Sequence, residues 1–205
     1  MGIKKRVTFI DDDGFEFLHE PVDGTLTITE TPDGYEARYL VTDDNYEMPS
    51  DWDDEGFFLA HYHRQFWVSP KYIEERDLAN YYRRDFSDYD DEKHPFDEKW
   101  WVFPVSAYIH SGVWLSLGNS FACDPGGWDT SHVGAAFCGR AEWKTEEEAR
   151  KAAEGLIDEW NKGLSGEVYG IVKETYDKDK NPDDHDACWG FYGYEYAMES
   201  LKTEL

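Results

Sequence analysis

Reactive side chains concentrate in one short segment of the sequence, residues 121–134. A thiol or hydroxyl next to an imidazole and a carboxylate is the set of groups used in nucleophilic catalysis, because the histidine can take the proton of the nucleophile. Such a site can be drawn from Cys123 with His132 and Asp129, or from Ser131 with the same histidine. The segment therefore holds the candidate catalytic residues of the chain.

The motifs that usually accompany this chemistry do not occur. The sequence has no GxSxG nucleophile elbow and neither of the glycine-rich phosphate loops GxxxxGK[ST] and GxGxxG. A tryptophan beside an aspartate and a serine, as at residues 128–131, also pins a loop through hydrogen bonds to its backbone. Two interpretations stay open: the catalytic loop of a hydrolase or transferase, or a loop held in place by its own polar side chains.

Two acidic stretches begin like calcium-binding EF-hand loops, residues 51–56 and 177–181, with acids at the first and third positions and Glu55 or Asn181 at the fifth. The glutamate required at position twelve is replaced by Tyr62 in the first stretch and by Cys188 in the second. The His-Tyr-His run at residues 61–63 has no CxxC or HExxH motif beside it to supply further zinc ligands. We therefore predict neither a metal site nor a cofactor.

Charge limits the kinds of partner that the protein can bind. The 20 Lys and Arg stand against 45 Asp and Glu, which gives a formal net charge of −25. Nucleic acids and anionic lipid surfaces carry the same sign and are repelled. We expect no direct nucleic-acid binding and no membrane binding. The charge favours a basic partner, a cation or simply solubility, and of these we expect a partner protein with a basic surface.

The acids that we expect to contact such a partner lie in three predicted loops, residues 43–55, 85–98 and 177–186. The predicted contact residues are Asp43, Asp44, Glu47, Asp51, Asp53, Asp54, Glu55, Asp88, Asp90, Asp91, Asp183 and Asp184.

Cysteine usage and hydropathy bear on the compartment. Cys123, Cys138 and Cys188 are odd in number and widely spaced, which argues against a disulfide framework and suits a reducing environment. No apolar run is long enough for a transmembrane helix. We therefore expect a cytoplasmic protein.

Aromatic residues are frequent for so acidic a chain, with nine Trp, 14 Tyr and 12 Phe. Disordered acidic chains are poor in these residues, so this chain is expected to fold. Most of the aromatic side chains should be core. One or two tryptophans are expected at a partner site, drawn from Trp52, Trp67, Trp100, Trp101, Trp114 and Trp128.

The first third of the chain has the pattern of β-structure. Residues 25–30 alternate with period two, and a Thr-Pro-Asp-Gly turn at residues 31–34 leads into a return strand over residues 35–42. Two shorter strand-like runs precede this hairpin, on either side of an Asp-Asp-Asp-Gly turn. We predict an N-terminal β-hairpin region over residues 1–47 and a main domain over residues 48–205, or one continuous domain.

The remainder mixes strands and helices. The best-marked helix begins with a capping box, Thr145 to Glu148, and is predicted to end at Gly163. Pro104 is expected at a bulge or an edge. The other predicted elements are strands at residues 56–63, 100–109, 113–117, 167–175 and 187–192 and helices at residues 70–82 and 195–202. The pattern predicts an α+β fold with a mostly antiparallel sheet and two or three helices.

Five segments, in this order, resemble a group of proteins encoded by bacteriophages and other mobile elements, over about residues 57–195. The segments are His61–Arg64, Tyr108–Ser116, Gly127–Gly134, Gly166–Gly170 and Cys188–Gly193. The group typically has Trp-Asp-Ser before a Val-Gly strand, where this chain has Trp-Asp-Thr-Ser-His at residues 128–132. The resemblance implies a phage or plasmid setting, and it brings no established activity and no catalytic residues.

Charge and setting together predict a small acidic protein that binds a host protein. A specific form is an inhibitor that evades host defence by DNA mimicry, in which rows of Asp and Glu imitate the phosphates of duplex DNA, about one negative charge per 1.7 Å of axis. The alternative is a hydrolase or transferase that uses the Cys123–His132 loop. A third class is a carbohydrate- or ligand-binding module built on the tryptophans.

Overall fold

The computed structural model describes residues 9–49, 57–61, 99–118 and 121–203; within residues 57–61 it describes the backbone and the side chain of Leu59. The chain divides into two compact units. Unit 1 combines residues 1–46 with residues 166–205, and unit 2 comprises residues 47–165. The N-terminal strands thus share a unit with the C-terminal end of the chain, because strands from both ends pair in one sheet.

Ten strands and two helices form the described part of the chain. In chain order they are β1 (Phe9–Ile10), β2 (Glu16–Phe17), β3 (Thr27–Thr31), β4 (Gly34–Thr42), β5 (Phe57–His61), β6 (Trp100–Ile109), β7 (Val113–Leu117), β8 (Thr130–Gly139), α1 (Glu146–Ser165), β9 (Val168–Tyr176), β10 (Pro182–Tyr192) and α2 (Tyr194–Ser200).

Unit 1 is built on a four-stranded antiparallel sheet in the order β10-β9-β4-β3. Alternate residues of these strands face opposite sides, so each face needs a cover. The pair β1–β2 supplies one, because Phe15 and Phe17 are buried against Tyr39 and Tyr176. Helix α2 covers part of the other face, where the core residues are Leu40, Ile171, Phe191, Ala197 and Leu201.

The predicted N-terminal hairpin is confirmed. Strands β3 and β4 pair from Thr27 with Arg38 to Thr31 with Gly34, so the turn has two residues. Glycine is required at position 34 because a Cβ atom there would collide with the carbonyl oxygen of Tyr176 on β9. The turn therefore lies directly against the end of a neighbouring strand.

Unit 2 is a second antiparallel sheet, in the order β5-β8-β6-β7, with helix α1 packed on one face. Phe103, Val105 and Leu115 from the sheet meet Leu156 and Trp160 from the helix in its core. The predicted strands at residues 100–109 and 113–117 are confirmed with the same bounds. A register shift between β6 and β8 falls one residue after Pro104, at Val105 and Ser106.

The predicted capping box of helix α1 is confirmed in both directions. The Thr145 amide donates to Glu148 Oε2 at 3.1 Å, and the Glu148 amide donates to Thr145 Oγ1 at 3.2 Å. The predicted end at Gly163 was wrong. Gly163 lies buried inside the helix, which continues to Ser165. Gly166, with φ of 74°, follows the last helical residue and is the glycine that adopts the left-handed backbone conformation.

The acidic segment that we predicted as a loop at residues 177–186 is shorter than expected. Strand β10 begins at Pro182, so Asp183 and Asp184 lie on a strand. They are accommodated because β10 is an edge strand of the described sheet and residues 182–186 are exposed. The predicted helix at residues 70–82 and the predicted acidic loop at residues 85–98 lie outside the described residues.

The fold class is α+β with antiparallel sheets, as the sequence predicts. Neither of the two described helices is long and apolar enough to cross a membrane.

Candidate functional site

One carboxylate organises the loop that leads into β8 of unit 2. Asp124 Oδ1 accepts a hydrogen bond from the Trp128 amide at 3.1 Å, and Asp124 Oδ2 accepts from the Asp129 amide at 2.9 Å and from Thr130 Oγ1 at 2.8 Å. The Thr130 hydroxyl above all, together with these amides, holds the pKa of Asp124 below its usual range. The conformation of residues 124–130 is therefore fixed by a charged acceptor.

The candidate catalytic residues do not assemble into a triad. Asp129 Oδ2 lies 3.2 Å from Nδ1 of His110, so its carboxylate contacts a histidine that we had not predicted at this site. Ser131 and His132 are consecutive on β8, and consecutive strand residues point to opposite faces of a sheet. Cys123 is exposed, and no hydrogen bond joins it to His132, both of which are described residues.

His132 sits in a half-buried position on β8, opposite the buried Ser106 of β6. Burial lowers the pKa of its imidazole. A half-buried histidine on a sheet fits the structural interpretation of the segment as well as a catalytic one.

Aromatic side chains gather beside the Asp124 loop. The Tyr108 ring stacks on His110 with 6.2 Å between ring centroids, and it lies 5.7 Å from the Phe121 ring. Tyr108 pairs with Trp114 on β7 and with Thr130 on β8, so these three share one face of the sheet. Burial, and then the neighbouring Cys123, Asp129 and Asp124, raise the pKa of Tyr108.

Of the six tryptophans considered for a partner site, two of the four that the structure describes are exposed. Trp128 is 91% exposed and Trp114 is 47% exposed. Trp100 and Trp101 are partly buried on β6. Trp52 and Trp67 lie outside the described residues.

In unit 1, three hairpin turns meet at one end of the sheet. The β3–β4 turn contacts the start of the β9–β10 turn, since a Cβ atom at Gly34 would lie 2.8 Å from the Asp177 carbonyl carbon. The β1–β2 turn joins them through Lys180, whose Nζ donates to the carbonyl oxygen of Asp13 at 2.6 Å. We call the acids of these turns the acidic turn surface, which comprises Asp11, Asp12, Asp13, Asp33, Asp177 and Asp179.

A buried carboxylate fixes the β1–β2 turn in this arrangement. Glu174 on β9 is 3% exposed and accepts hydrogen bonds from the Leu18 amide at 3.0 Å, from the Tyr39 hydroxyl at 2.9 Å and from the Tyr176 hydroxyl. Burial and Glu174 raise the pKa of both tyrosines. Because the carboxylate is satisfied by three donors, it ties the segment after β2 to the sheet.

Negative charge is distributed unequally between the two units. The described residues of unit 1 contain 20 acidic and five basic side chains, a net charge of −15 with neutral histidines. The described residues of unit 2 contain ten acidic and six basic side chains, a net charge of −4. Most of the excess of acids among the described residues therefore lies in unit 1.

Within unit 1, the described contact residues that we predicted lie at opposite ends of the sheet, Asp43 after the end of β4 and Asp183 and Asp184 at the start of β10. Asp43 is only 7% exposed, and its Oδ1 accepts from the Asn45 amide at 3.0 Å. Strand β4 separates it from the acidic turn surface by about 26 Å, eight residue steps of about 3.3 Å. Asp44 and Glu47 are exposed, as are Asp183 and Asp184 on β10. Asp51, Asp53, Asp54, Glu55, Asp88, Asp90 and Asp91 lie outside the described residues.

Sequence reasoning missed four members of the acidic turn surface, Asp11, Asp12, Asp13 and Asp33. Each belongs to a turn that the sequence did predict, so a search of hairpin turns for charge would have found them. Their convergence depends on the pairing of β4 with β9, which joins residues far apart in the chain.

The EF-hand-like stretch at residues 177–181 uses its first acid internally. The Asp177 carboxylate accepts from the amides of Asp179 and Asn181 and from the Asn181 side chain, which holds the turn closed and lowers the pKa of Asp177. Within the described residues, no group of three or more His, Cys, Asp or Glu side chains is arranged to hold a metal ion.

An open depression of about 550 Å³ lies beside the N-terminal turn of α1, lined by Trp143, Lys144 and Lys151 among others. Its lining includes none of the candidate catalytic residues. Comparison of the chain with protein-family models, curated proteins and solved structures found no match.

Proposed function

We propose that this protein binds a host protein that carries a basic, nucleic-acid-binding surface, and that the acidic turn surface occupies it in place of duplex DNA. The observation that carries the proposal is the convergence of three acidic turns at one end of unit 1. Carboxylates held on a rigid sheet imitate the closely spaced negative charges of a phosphate backbone, and they are less flexible than that backbone.

The rigidity of this surface supports the proposal. Asp11 Oδ1 accepts from the Asp13 and Phe15 amides at 3.0 and 2.8 Å, and Asp177 closes the β9–β10 turn in the same way. These bonds order the backbone that carries the exposed Asp12 and Asp179, and the Gly34 amide donates to Thr31 Oγ1 at 3.2 Å in the turn that carries Asp33. Ordering charges before binding lowers the entropy lost when a partner docks.

Two lysines lie among these acids. Lys180 is turned inward, with its ammonium 4.7 Å from the centroid of the Phe15 ring and bonded to the Asp13 carbonyl. Lys178 is exposed. The net charge of the surface stays negative because its six carboxylates outnumber these two lysines.

The setting that we propose, a phage or plasmid, rests on the resemblance of the sequence to mobile-element proteins. A small acidic protein of a phage or plasmid acts in the cytoplasm of its host, where restriction and other defence enzymes bind DNA through Lys- and Arg-lined grooves. Filling such a groove inhibits the enzyme without any chemistry. The hydrolase or transferase alternative gains no support from the described part of the Cys123–His132 loop, where Ser131 and His132 face opposite sides of the sheet and Asp129 contacts His110.

The test is a pull-down of host lysate with the tagged full-length protein at about 50 mM and about 500 mM salt. We expect a nucleic-acid-binding protein to be captured at low salt, lost at high salt, and displaced by added duplex DNA. Displacement separates DNA mimicry from general attraction to basic surfaces. Capture that resists both salt and DNA, or no capture at either salt, would contradict the proposal.

A further inference from the structure

The most exposed large hydrophobic side chain of the described residues lies in unit 2. Trp128 is 91% exposed, in a loop between β7 and β8. A tryptophan offers the largest apolar area of any side chain, and leaving it in water forgoes the free energy of its burial. Exposed tryptophans of this kind are enriched at the centres of protein-binding sites.

The indole is presented in a defined position. Asp124 bonds to the backbone on both sides of it, at the Trp128 and Asp129 amides. A Cβ atom at Gly126 would lie 2.6 Å from Trp128 Cδ1 and 2.7 Å from Nε1, so the ring packs against the glycine backbone. The loop therefore holds an aromatic surface ready for a ligand.

Carboxylates define the charge that such a ligand must carry. Asp129 follows Trp128 directly; its Oδ2 contacts His110 Nδ1 at 3.2 Å, and its side chain is 43% exposed, so the carboxylate can accept further hydrogen bonds. Asp124 carries a second negative charge under the loop, and the pKa of the nearby Tyr108 is raised by burial and by these acids. An aromatic face beside two carboxylates attracts a cation.

We propose that the Trp128 loop binds the guanidinium group of an arginine in a basic segment of the partner protein. The planar guanidinium stacks on the indole, and its N–H groups donate to the Asp129 carboxylate. Arginine fits better than lysine, because the planar and weakly hydrated guanidinium can stack on the indole and donate two hydrogen bonds to one carboxylate. An ammonium is not planar and cannot form this bidentate pair. This inference deepens the proposed function, since it names the side chain of the basic partner that unit 2 recognises.

Two peptides of equal charge test the inference on the full-length protein, six arginines and six lysines with identical flanking residues. We expect the arginine peptide to bind about two- to fivefold more tightly, the advantage of one exposed stacking contact. We also expect it to shift the indole N–H resonance of Trp128, which is assigned by its absence in Trp128→Leu.

The variants separate stacking from charge. Trp128→Leu should bring the two affinities together, mainly by lowering the affinity for the arginine peptide. Tyr196→Leu, which removes a 56% exposed aromatic of unit 1, is the matched control and should preserve the preference. Asp129→Asn should weaken the arginine peptide more than the lysine peptide.

Equal affinities for the two peptides, or an unshifted Trp128 resonance, would overturn the inference. An arginine preference that depends on Trp128 supports it even if the lysate yields no DNA-displaceable partner, in which case the proposed function fails alone. The converse result is distinguishable. In it, the lysate yields a DNA-displaceable partner that Trp128→Leu captures as well as the wild type does, while the two peptides bind with equal affinity. That result would support the proposed function and show that the Trp128 loop takes no part in it.

Discussion

Lys180 Nζ lies 2.6 Å from the carbonyl oxygen of Asp13, which joins two turns that are 167 residues apart in the sequence. Lys180 adopts a φ of 65°, a left-handed conformation that is rare for a residue other than glycine. The backbone thus accepts strain at the position from which a lysine reaches the β1–β2 turn. This contact places the acids of residues 11–13 beside those of residues 177–179.

Lys180→Ala should loosen the β1–β2 turn. The variant loses a charge-assisted hydrogen bond and the contact with the Phe15 ring, and we expect a loss of about 1 kcal/mol in the free energy of unfolding. Amide hydrogen exchange at Phe15 and Phe17 should accelerate. Lys178→Ala removes the same charge from an exposed neighbour and should leave these rates unchanged; equal effects of the two variants would show that Lys180 acts only through net charge.

Glu174→Gln should destabilise unit 1. The neutral amide replaces a carboxylate that accepts from two tyrosine hydroxyls and an amide, so we expect a loss of about 2 kcal/mol, measured by urea unfolding. The exposed Glu30→Gln is the control and should change stability little. A double-mutant cycle with Tyr39→Phe should be strongly non-additive, and simple additivity would contradict the shared network.

His132 should make unit 2 sensitive to mild acid. Its pKa is lowered by burial, so below about pH 6.5 the unfolded chain takes up a proton that the folded state resists. The free energy of unfolding should therefore fall as the pH drops from 7.5 to 5, by at most about 1 kcal/mol because the ring is partly exposed.

His132→Gln should remove that part of the pH dependence, measured by urea unfolding at both pH values. His185→Gln, on the exposed β10, should not. If the two variants gave the same pH dependence, burial of His132 would not be its source.

Local features of the fold were predicted correctly where a few neighbouring residues determine the structure. The turn that ends at Gly34 and the capping box of Thr145 and Glu148 depend on residues within four positions of each other, and both were predicted. The bounds of β6 followed from its continuous apolar run.

Features that depend on the pairing of strands distant in sequence were not predicted. Nothing local shows that Ala37 pairs with Glu174, so neither the composition of unit 1 nor the convergence of its turns was predicted. The sequence around Glu174 does not mark this carboxylate as buried. Its burial is explained by hydrogen-bond donors that are distant in sequence, the Leu18 amide after β2 and the Tyr39 hydroxyl on β4. Gly163 was taken for the helix end because glycine commonly follows the last helical residue, whereas here it is a buried residue of α1, which ends at Ser165.

The most direct test of the account compares two triple variants that each remove three negative charges. One carries Asp12→Asn, Asp33→Ser and Asp179→Asn in the acidic turn surface, and the other carries Glu142→Gln, Glu147→Gln and Glu154→Gln on the exposed side of unit 2. None of these six carboxylates accepts a hydrogen bond from another described residue, so both variants should fold. We predict that the first loses low-salt capture of the DNA-displaceable host protein, while the second captures as much as the wild type. Equal capture by both variants would contradict the claim that the acidic turns of unit 1 bind the partner.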